Sequence, residues 1–373
     1  MISKNEFTYE DILTAYMQCR KHKRNTRSAS QFERNFTDKL RVLLDQINNK
    51  SVDFGQYTCF AVTKPKPREI WAAPFKERVI HHLIHNEIGR EFEKHYIDQT
   101  YSCIKGRGTL KCIHDAYKGL RKATHNFAHD VFYIKLDIQN FFVSINKEIL
   151  WEIIKEKVDE NSLLGWLIKR NLFNDITKNP KFREKEKLKL VPEYKSLLRI
   201  DYNRQGLPIG NLTSQFFSNV YMDGFDHFCK HQLKIKYYYR YADDILILLE
   251  DGTKAESVIN SIDDWLKEKR NLTLNRKKCI VNRSQFGIKF LGARIFHHYV
   301  IPSKKIFYDL KISIKKFKRD IFNDLALSRL NSYLGVCTSF NTLFTRIKSL
   351  SSCEMDFIYG NNHRKVLLRK GFA

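Results

Sequence analysis

Asp243 and Asp244 stand side by side in the run YYYRYADDILILL, an otherwise aromatic and β-branched stretch. Two adjacent carboxylates are costly to bury there unless a cation or another partner offsets their charge. The flanks read as a strand, a tight turn at Ala242-Asp243-Asp244 and a second strand from Ile245 to Leu249, a hairpin with acids at its tip. A solvated Asp-Asp turn is the plain alternative for an isolated pair. About a hundred residues earlier, Asp137 closes the run DVFYIKLD, in which Phe132, Ile134 and Leu136 alternate with more exposed positions. Adjacent strands of one sheet can aim such acids at a common point, where two or three carboxylates suit a pair of Mg²⁺ ions about 3.5–4 Å apart. Phosphoryl transfer asks mostly for positioning and charge neutralisation, so few protein groups are needed.

The elements that must position these acids belong to a chain of 373 residues, 43% hydrophobic, enough for two or three packed units. Its 66 Lys+Arg against 41 Asp+Glu leave a net charge of +25, spread along the chain. Such self-repulsion is best relieved by a polyanion, and nucleic acid is the commonest one. No stretch approaches ~20 apolar residues, so no spanning helix and no membrane partner is expected. The start MISKNEFTYEDILTAY has acids where a signal peptide needs an uninterrupted apolar segment. Cysteines at 19, 59, 103, 112, 229, 279, 337 and 353 form no CxxC pair, which predicts free thiols in a reducing cytoplasm. His81 and His85 share a helical face with His82 between them, but no third ligand follows, and all three read as surface or RNA-facing.

The first fifty residues are helical in period, with the basic cluster RKHKRNTR at 20–27. A strand, a turn carrying Lys64, Pro65, Lys66, Pro67 and Arg68, and a second strand follow. A helix is expected from Lys76 to His95, then a glycine loop, Ile104 to Thr109, whose amides can approach a phosphate. One helix is expected from Lys147 to Lys169, and residues 174–204, rich in Lys and Glu, read as a solvated connection or insertion. Arg204 to Gln215 introduces another helix before the acidic hairpin, and an amphipathic helix at 254–270 leads into short strands. SKKIFYDLKISIKKFKR carries seven Lys/Arg and one acid, which suits a helix laid along a phosphate backbone.

YADD after an aromatic strand, LDIQNFF upstream and the glycine-containing segment between them resemble a reverse transcriptase of the bacterial, group II intron-related lineage, from Thr58 to about Ile295. The resemblance implies an α+β right-hand polymerase, with fingers and palm in residues 1–300 and a small, basic, helical thumb in 301–373. It implies two Mg²⁺ ions as cofactors, Asp137, Asp243 and Asp244 as catalytic acids, and Asp137, Ile138, Asp243 and Asp244 as the metal-binding set. Phe142 matches the bulky residue that leaves no room for a 2′-hydroxyl. Lys66 and Arg68 fall where the fingers grip the triphosphate, and Arg78 in FKERVIHH matches another basic fingers position. Lys278 in NRKKC fits the lysine beside the leaving pyrophosphate, and Phe290-Leu291-Gly292 resembles the primer-grip turn.

Ile209, Gly210, Asn211 and Gln215 lie in the segment that packs under the incoming base pair. Their IGNxxSQ form resembles diversity-generating retroelement and antiphage defence-associated enzymes, with Ile209 in place of the usual glutamine and Gln215 in place of a proline. The implied partners are deoxynucleoside triphosphates, an RNA template (a structured noncoding RNA), the RNA–DNA heteroduplex, and an accessory protein or further copies of the chain. A non-catalytic RNA-binding scaffold would show damaged carboxylates, whereas all three acids are present. An RNA-dependent RNA polymerase usually carries an acid at the position of Phe142 and a glycine before the Asp pair.

Overall fold

The computed structural model describes residues 1–21, 26–64, 66–319, 324–338, 340, 356–359 and 366–369. Half of the basic cluster at 20–27 (residues 22–25), Pro65, Cys353 and much of the expected thumb therefore lie outside the described residues. In chain order the elements begin with α1 (Tyr9–Arg20), α2 (Arg27–Glu33), α3 (Phe36–Asn48), β1 (Thr58–Val62), β2 (Arg68–Ala72), α4 (Phe75–Glu93) and α5 (Thr109–Ala123). Next come β3 (Phe132–Asp137), α6 (Phe141–Ser144), α7 (Lys147–Lys155), α8 (Leu163–Leu172), β4 (Lys181–Phe182), α9 (Lys185–Leu188) and α10 (Leu212–His227). Then follow β5 (Tyr237–Tyr241), β6 (Asp244–Leu249), α11 (Ala255–Arg270), β7 (Ile280–Arg283), β8 (Ile288–Phe290), β9 (Ala293–Ile295) and β10 (Val300–Pro302). The last are α12 (Lys304–Arg319), α13 (Asp324–Thr338), β11 (Asp356–Tyr359) and β12 (Val366–Arg369). This is the expected α+β class. Among the described residues no helix is long and apolar enough to cross a membrane.

The chain divides into two compact units. One comprises residues 1–104, 137–234 and 257–278. Its first helix starts at a capping box, in which Thr8 Oγ accepts from Asp11 N while the Asp11 carboxylate accepts from Thr8 N at 2.8 Å. Ile12, Ala15, Tyr16 and Cys19, three or four apart, form its buried stripe. β1 and β2 pair antiparallel from Thr58↔Ala72 to Val62↔Arg68, the expected hairpin, and β4 adds to β1 in parallel.

Three expectations are corrected in this unit. The single helix at 147–169 is two helices. Asp159 accepts from the Asn161 amide, Ser162 caps α8 through Gly165 N, and a Cβ at Gly165 would lie 2.2 Å from the Asp159 carbonyl oxygen. Residues 174–204 are not merely solvated: Ile176, Leu197 and Tyr202 are buried with Tyr57, Cys59, Trp71, Ala73 and Val143. The Lys147 ammonium is 3.4 Å from the Tyr202 ring centroid, which adds a cation–π contact to this packing. His81 faces neither solvent nor RNA; it is buried on α4, a helix packed against α1, α8 and α10. Burial first, then the neighbouring His82 and Arg78 charges, lower its imidazole to about 3, so it stays neutral.

The other unit comprises residues 105–136, 235–256 and 279–373. Its main sheet has the order β5-β6-β3-β7, with β5–β6 and β3–β7 antiparallel. The register Tyr241↔Asp244 confines the acidic turn to Ala242 and Asp243, so the second strand starts at Asp244, one residue before the expected Ile245. A smaller sheet, β8-β9-β10, turns at Leu291 and Gly292, both at positive φ. α12 and α13 close on Leu310, Ile314, Phe317, Leu330, Leu334 and Cys337, which leaves the lysines of α12 for its other face.

α5 covers β5 by a close approach at Gly119, where a Cβ would stand 1.7 Å from Tyr239 Oη. Gly119→Ala is expected to destabilise the protein by about 1–3 kcal/mol through overpacking, despite the better helix propensity of alanine. Urea unfolding followed by circular dichroism measures it, and an unchanged midpoint would show that the ring moves aside freely.

Candidate functional site

Asp137 is the last residue of β3, and the chain beyond it is held by residues 273–275. Asn275 N donates to the Asp137 carbonyl at 2.8 Å and Gln139 N to the Thr273 carbonyl at 2.9 Å, on either side of an Ile138↔Leu274 bridge. Ile138 N–H and C=O take no part in that pair of bonds, as expected for the non-hydrogen-bonded position of an antiparallel bridge.

Residues 273–276 are fixed in turn by Asp263 on α11, whose buried carboxylate accepts from Leu274 N at 3.0 Å, Lys267 Nζ at 2.9 Å and Arg276 Nη2 at 3.1 Å. Burial alone would raise its pKa; the bonds from Leu274, Lys267 and Arg276 outweigh that and leave it below the ordinary value. The turn then continues through Lys278 N to the Asn275 carbonyl, at 2.8 Å. It delivers Lys278 Nζ to Asp137 Oδ2 at 2.7 Å.

Other predicted residues of the same unit gather along β2. Lys66 and Arg68, in the β1–β2 hairpin, are exposed. Arg78 is half-buried and donates through Nε to the Ala73 carbonyl at 2.8 Å. Phe142 is half-buried on α6, its ring centroid 5.3 Å from that of Phe141. From Phe142 a strap runs to β2: Leu207 N donates to the Phe142 carbonyl at 2.8 Å, and Trp71 N to the Ile209 carbonyl at 2.9 Å. Gly210 continues it at φ +114°, where a Cβ would approach Ile70 Cγ2 to 3.1 Å. Asn211 is buried at the start of α10, and Gln215 lies exposed in its first turn, its Oε1 accepting from Cys103 Sγ at 3.4 Å.

Sequence reading missed Lys195 in this group. Its ammonium lies below the ordinary lysine value, through burial first and then the positive charges of Lys278 and Lys66, with Asp137 pulling upward and Arg68 downward. Nothing in the sequence marks this lysine among the charged residues of 181–199.

In the other unit the acidic hairpin turns at Ala242, a non-glycine residue at φ +54°. Arg240, fully buried in β5, donates through Nη1 to the Ala242 carbonyl at 3.2 Å and so braces the turn. Asp244 Oδ1 lies 3.4 Å from Lys135 Nζ on the neighbouring strand β3. Lys135 was not singled out in the sequence, where it reads as one exposed residue of an alternating strand. Asp137 and Asp244 thus each face an ammonium. Among the described residues no group of three or more His, Cys, Asp or Glu side chains stands together as a metal cage. The donor chemistry fits a divalent cation, since hard carboxylate oxygens already attract positive charge.

A family model described as reverse transcriptase (RNA-dependent DNA polymerase) matches residues 62–295, more than half of the chain. The COX1/OXI3 intron 2 protein of Saccharomyces cerevisiae is 18% identical over 216 residues, covering 43% of this chain and 23% of that protein. The chain thus spans about a quarter of this curated relative. Among solved structures, telomerase from Candida albicans bound to a fragment of telomeric RNA aligns at TM-score 0.45 and 12% identity, over 81% of this chain and 55% of its own. Apo telomerase from Candida tropicalis aligns at TM-score 0.44 and 13% identity, over 80% of this chain and 59% of its own.

Asp263→Asn is expected to cost about 1–3 kcal/mol at neutral pH, the scale for disturbing a buried, charge-assisted network. Because the folded pKa of Asp263 is lowered, its stabilisation is complete above the ordinary carboxyl value and is lost as pH falls through the folded one. The stability gap between wild type and variant, measured by urea unfolding from pH 7 to pH 3, should therefore narrow on acidification; a gap that widens would contradict this.

Proposed function

The chain belongs to the reverse transcriptase (RNA-dependent DNA polymerase) family, and from that premise we propose that it extends a primer with deoxynucleotides on an RNA template. The observation that carries the reading is the sheet order: β3, ending at Asp137, is the strand next to β6, which begins at Asp244 directly after the Asp243 turn. Asp137, Asp243 and Asp244, with the Ile138 carbonyl, would hold two Mg²⁺ ions, which when bound supply charge neutralisation for the triphosphate and the primer hydroxyl.

The remaining work falls to the chain itself. Lys66 and Arg68 bind the triphosphate, and Lys278, already held at Asp137, is the candidate to protonate the departing pyrophosphate. Arg78 braces the start of α4 through Ala73 and supports the fingers from there. The Phe142 ring excludes a 2′-hydroxyl from the sugar pocket. The strap at 209–215 supports the nascent pair, and an isoleucine at 209 offers it no hydrogen bond, which favours error-prone copying. The fingers and palm extend to about residue 300. Beyond them α12, with lysines at 304, 305, 311, 315 and 316, follows the heteroduplex backbone as the start of a thumb.

We place the protein in one of two settings, a diversity-generating retroelement or an antiphage defence system, each with its own noncoding RNA and an accessory protein or further copies of the chain. Sequencing the RNA and DNA that copurify from the native locus tells them apart: a repeat copied with altered adenines marks the retroelement, and self-primed or low-complexity product marks defence.

Purified protein should extend a DNA primer on RNA with dNTPs and Mg²⁺. Asp137→Asn or Asp243→Asn should each lower kcat roughly a hundredfold or more, the scale on which one group's share of transition-state charge stabilisation is lost. Wild-type protein that binds primer–template yet never extends it, across Mg²⁺ and Mn²⁺, would overturn the reading. Phe142→Ala should admit ribonucleotides that wild type rejects. Equal use of both sugars by wild type would refute the steric role of this ring.

A further inference from the structure

The segment 193–199 is docked on β2 by one buried carboxylate. Glu69, 4% exposed, accepts hydrogen bonds from Trp71 Nε1 at 2.6 Å, from Ser196 Oγ at 2.5 Å and from Leu197 N at 2.9 Å. Leu197 also enters the apolar cluster around Trp71, and Ser196 Oγ accepts from Leu198 N at 3.2 Å, which fixes the local turn. A buried carboxylate is tolerable only when its lone pairs are satisfied, so this docking is specific rather than a loose drape. Lys195 immediately precedes the two residues bound to Glu69, and Arg68 immediately precedes Glu69 itself. The docking therefore sets Lys195 beside the Lys66–Arg68 hairpin, half-buried and within reach of their charges and that of Lys278.

Among the described residues, Lys66, Arg68 and Lys195 have no ion-pair partner, and the one acid in their group, Asp137, is already paired with Lys278. Positive charges held together by the fold, with a single carboxylate among them, are mutually repulsive until a polyanion arrives. Holding Lys195 among these cations costs electrostatic energy, which the Glu69 bonds and the burial of Leu197 offset.

We propose that Lys195 is a third triphosphate-binding cation, carried to the β1–β2 hairpin by the Glu69-docked segment 193–199, and that it takes the phosphates of the incoming nucleoside triphosphate. This rests on the polymerase reading above. The site needs the segment as well as the hairpin, so part of the binding surface for the substrate comes from a stretch that looks like a solvated insertion in the sequence.

The test uses the full chain, with Lys195→Ala, Lys195→Arg and the control Lys189→Ala. Lys189 lies on the same insertion with its side chain 73% exposed, paired to Glu186, and its replacement changes net charge equally. On an RNA template with a DNA primer, Lys195→Ala should raise KM for dNTP roughly five- to twenty-fold, the scale of one charge-assisted hydrogen bond. Affinity for primer–template, read by fluorescence anisotropy, should stay unchanged. Lys195→Arg should restore most of the loss, and Lys189→Ala should behave as wild type.

Inorganic tripolyphosphate supplies a readout that needs no polymerisation: its binding to wild type, by calorimetry, should weaken by a similar factor in Lys195→Ala. Weakened tripolyphosphate binding in a protein that fails to extend primers would retain the anion site and discard the polymerase reading. Unchanged KM and unchanged tripolyphosphate binding in Lys195→Ala would overturn the proposal. So would weaker primer–template affinity with an unaltered KM, which would assign the lysine to a nucleic-acid phosphate instead.

Discussion

Two buried carboxylates, Asp263 and Glu69, fix the segments that carry Lys278 and Lys195. Each is surrounded by donors: Leu274 N, Lys267 and Arg276 for Asp263, and Trp71, Ser196 and Leu197 N for Glu69. Saturation of this kind offsets the cost of burying an ionised group, and removing one donor leaves that cost exposed. The consequence lies a residue or a turn away. Asp263 anchors the segment that presents Lys278 to Asp137, and Glu69 anchors the one that presents Lys195 to Arg68. Long lysine side chains lose much rotamer entropy when ordered, and fixing their backbones first leaves only the side chains to be ordered.

The acidic hairpin solves the opposite problem. Its strands are almost wholly buried, and the chain must reverse in two residues, Ala242 and Asp243, leaving Asp243 and Asp244 half-buried. Ala242 takes a left-handed conformation to do so, at a cost that glycine would avoid. Arg240, buried beneath, donates to the strained carbonyl, while Gly119 lets α5 close over Tyr239 and thicken the cover on β5. A turn braced in this way holds its two acids in one geometry.

Much of this was legible in the sequence, and the reason differs from place to place. β3, β5 and β6 were readable because alternation or unbroken apolar runs bounded by charge leave few other assignments. The sequence also singles out Asp137 and the Asp243–Asp244 pair, because carboxylates inside otherwise apolar runs are costly to bury. Residues 174–204 were not legible. Their apolar members, Ile176, Leu197 and Tyr202, are too sparse for either period, and most of the residues they pack against, Tyr57, Cys59, Trp71 and Ala73, lie more than a hundred positions away. Nothing local distinguishes Glu69, whose partners arrive at 196 and 197, from an ordinary strand glutamate. His81 misled for a related reason: α4 is covered on several faces, so a polar residue in its pattern does not mark the solvent side.

The strap from Phe142 to β2 shows how fold and chemistry are separated at one position. Its path is set by main-chain bonds, Leu207 N to the Phe142 carbonyl and Trp71 N to that of Ile209, and by the left-handed backbone at Gly210. None of these depends on which side chain residue 209 carries. Exchanging the side chain at 209 therefore leaves the main-chain path of the strap unchanged. Gly210 has no such freedom, because a Cβ would combine positive-φ strain with the approach to Ile70. The side chain at 209 is thus free to vary without disturbing these bonds, while its neighbour is held to glycine, one residue apart on the same strap.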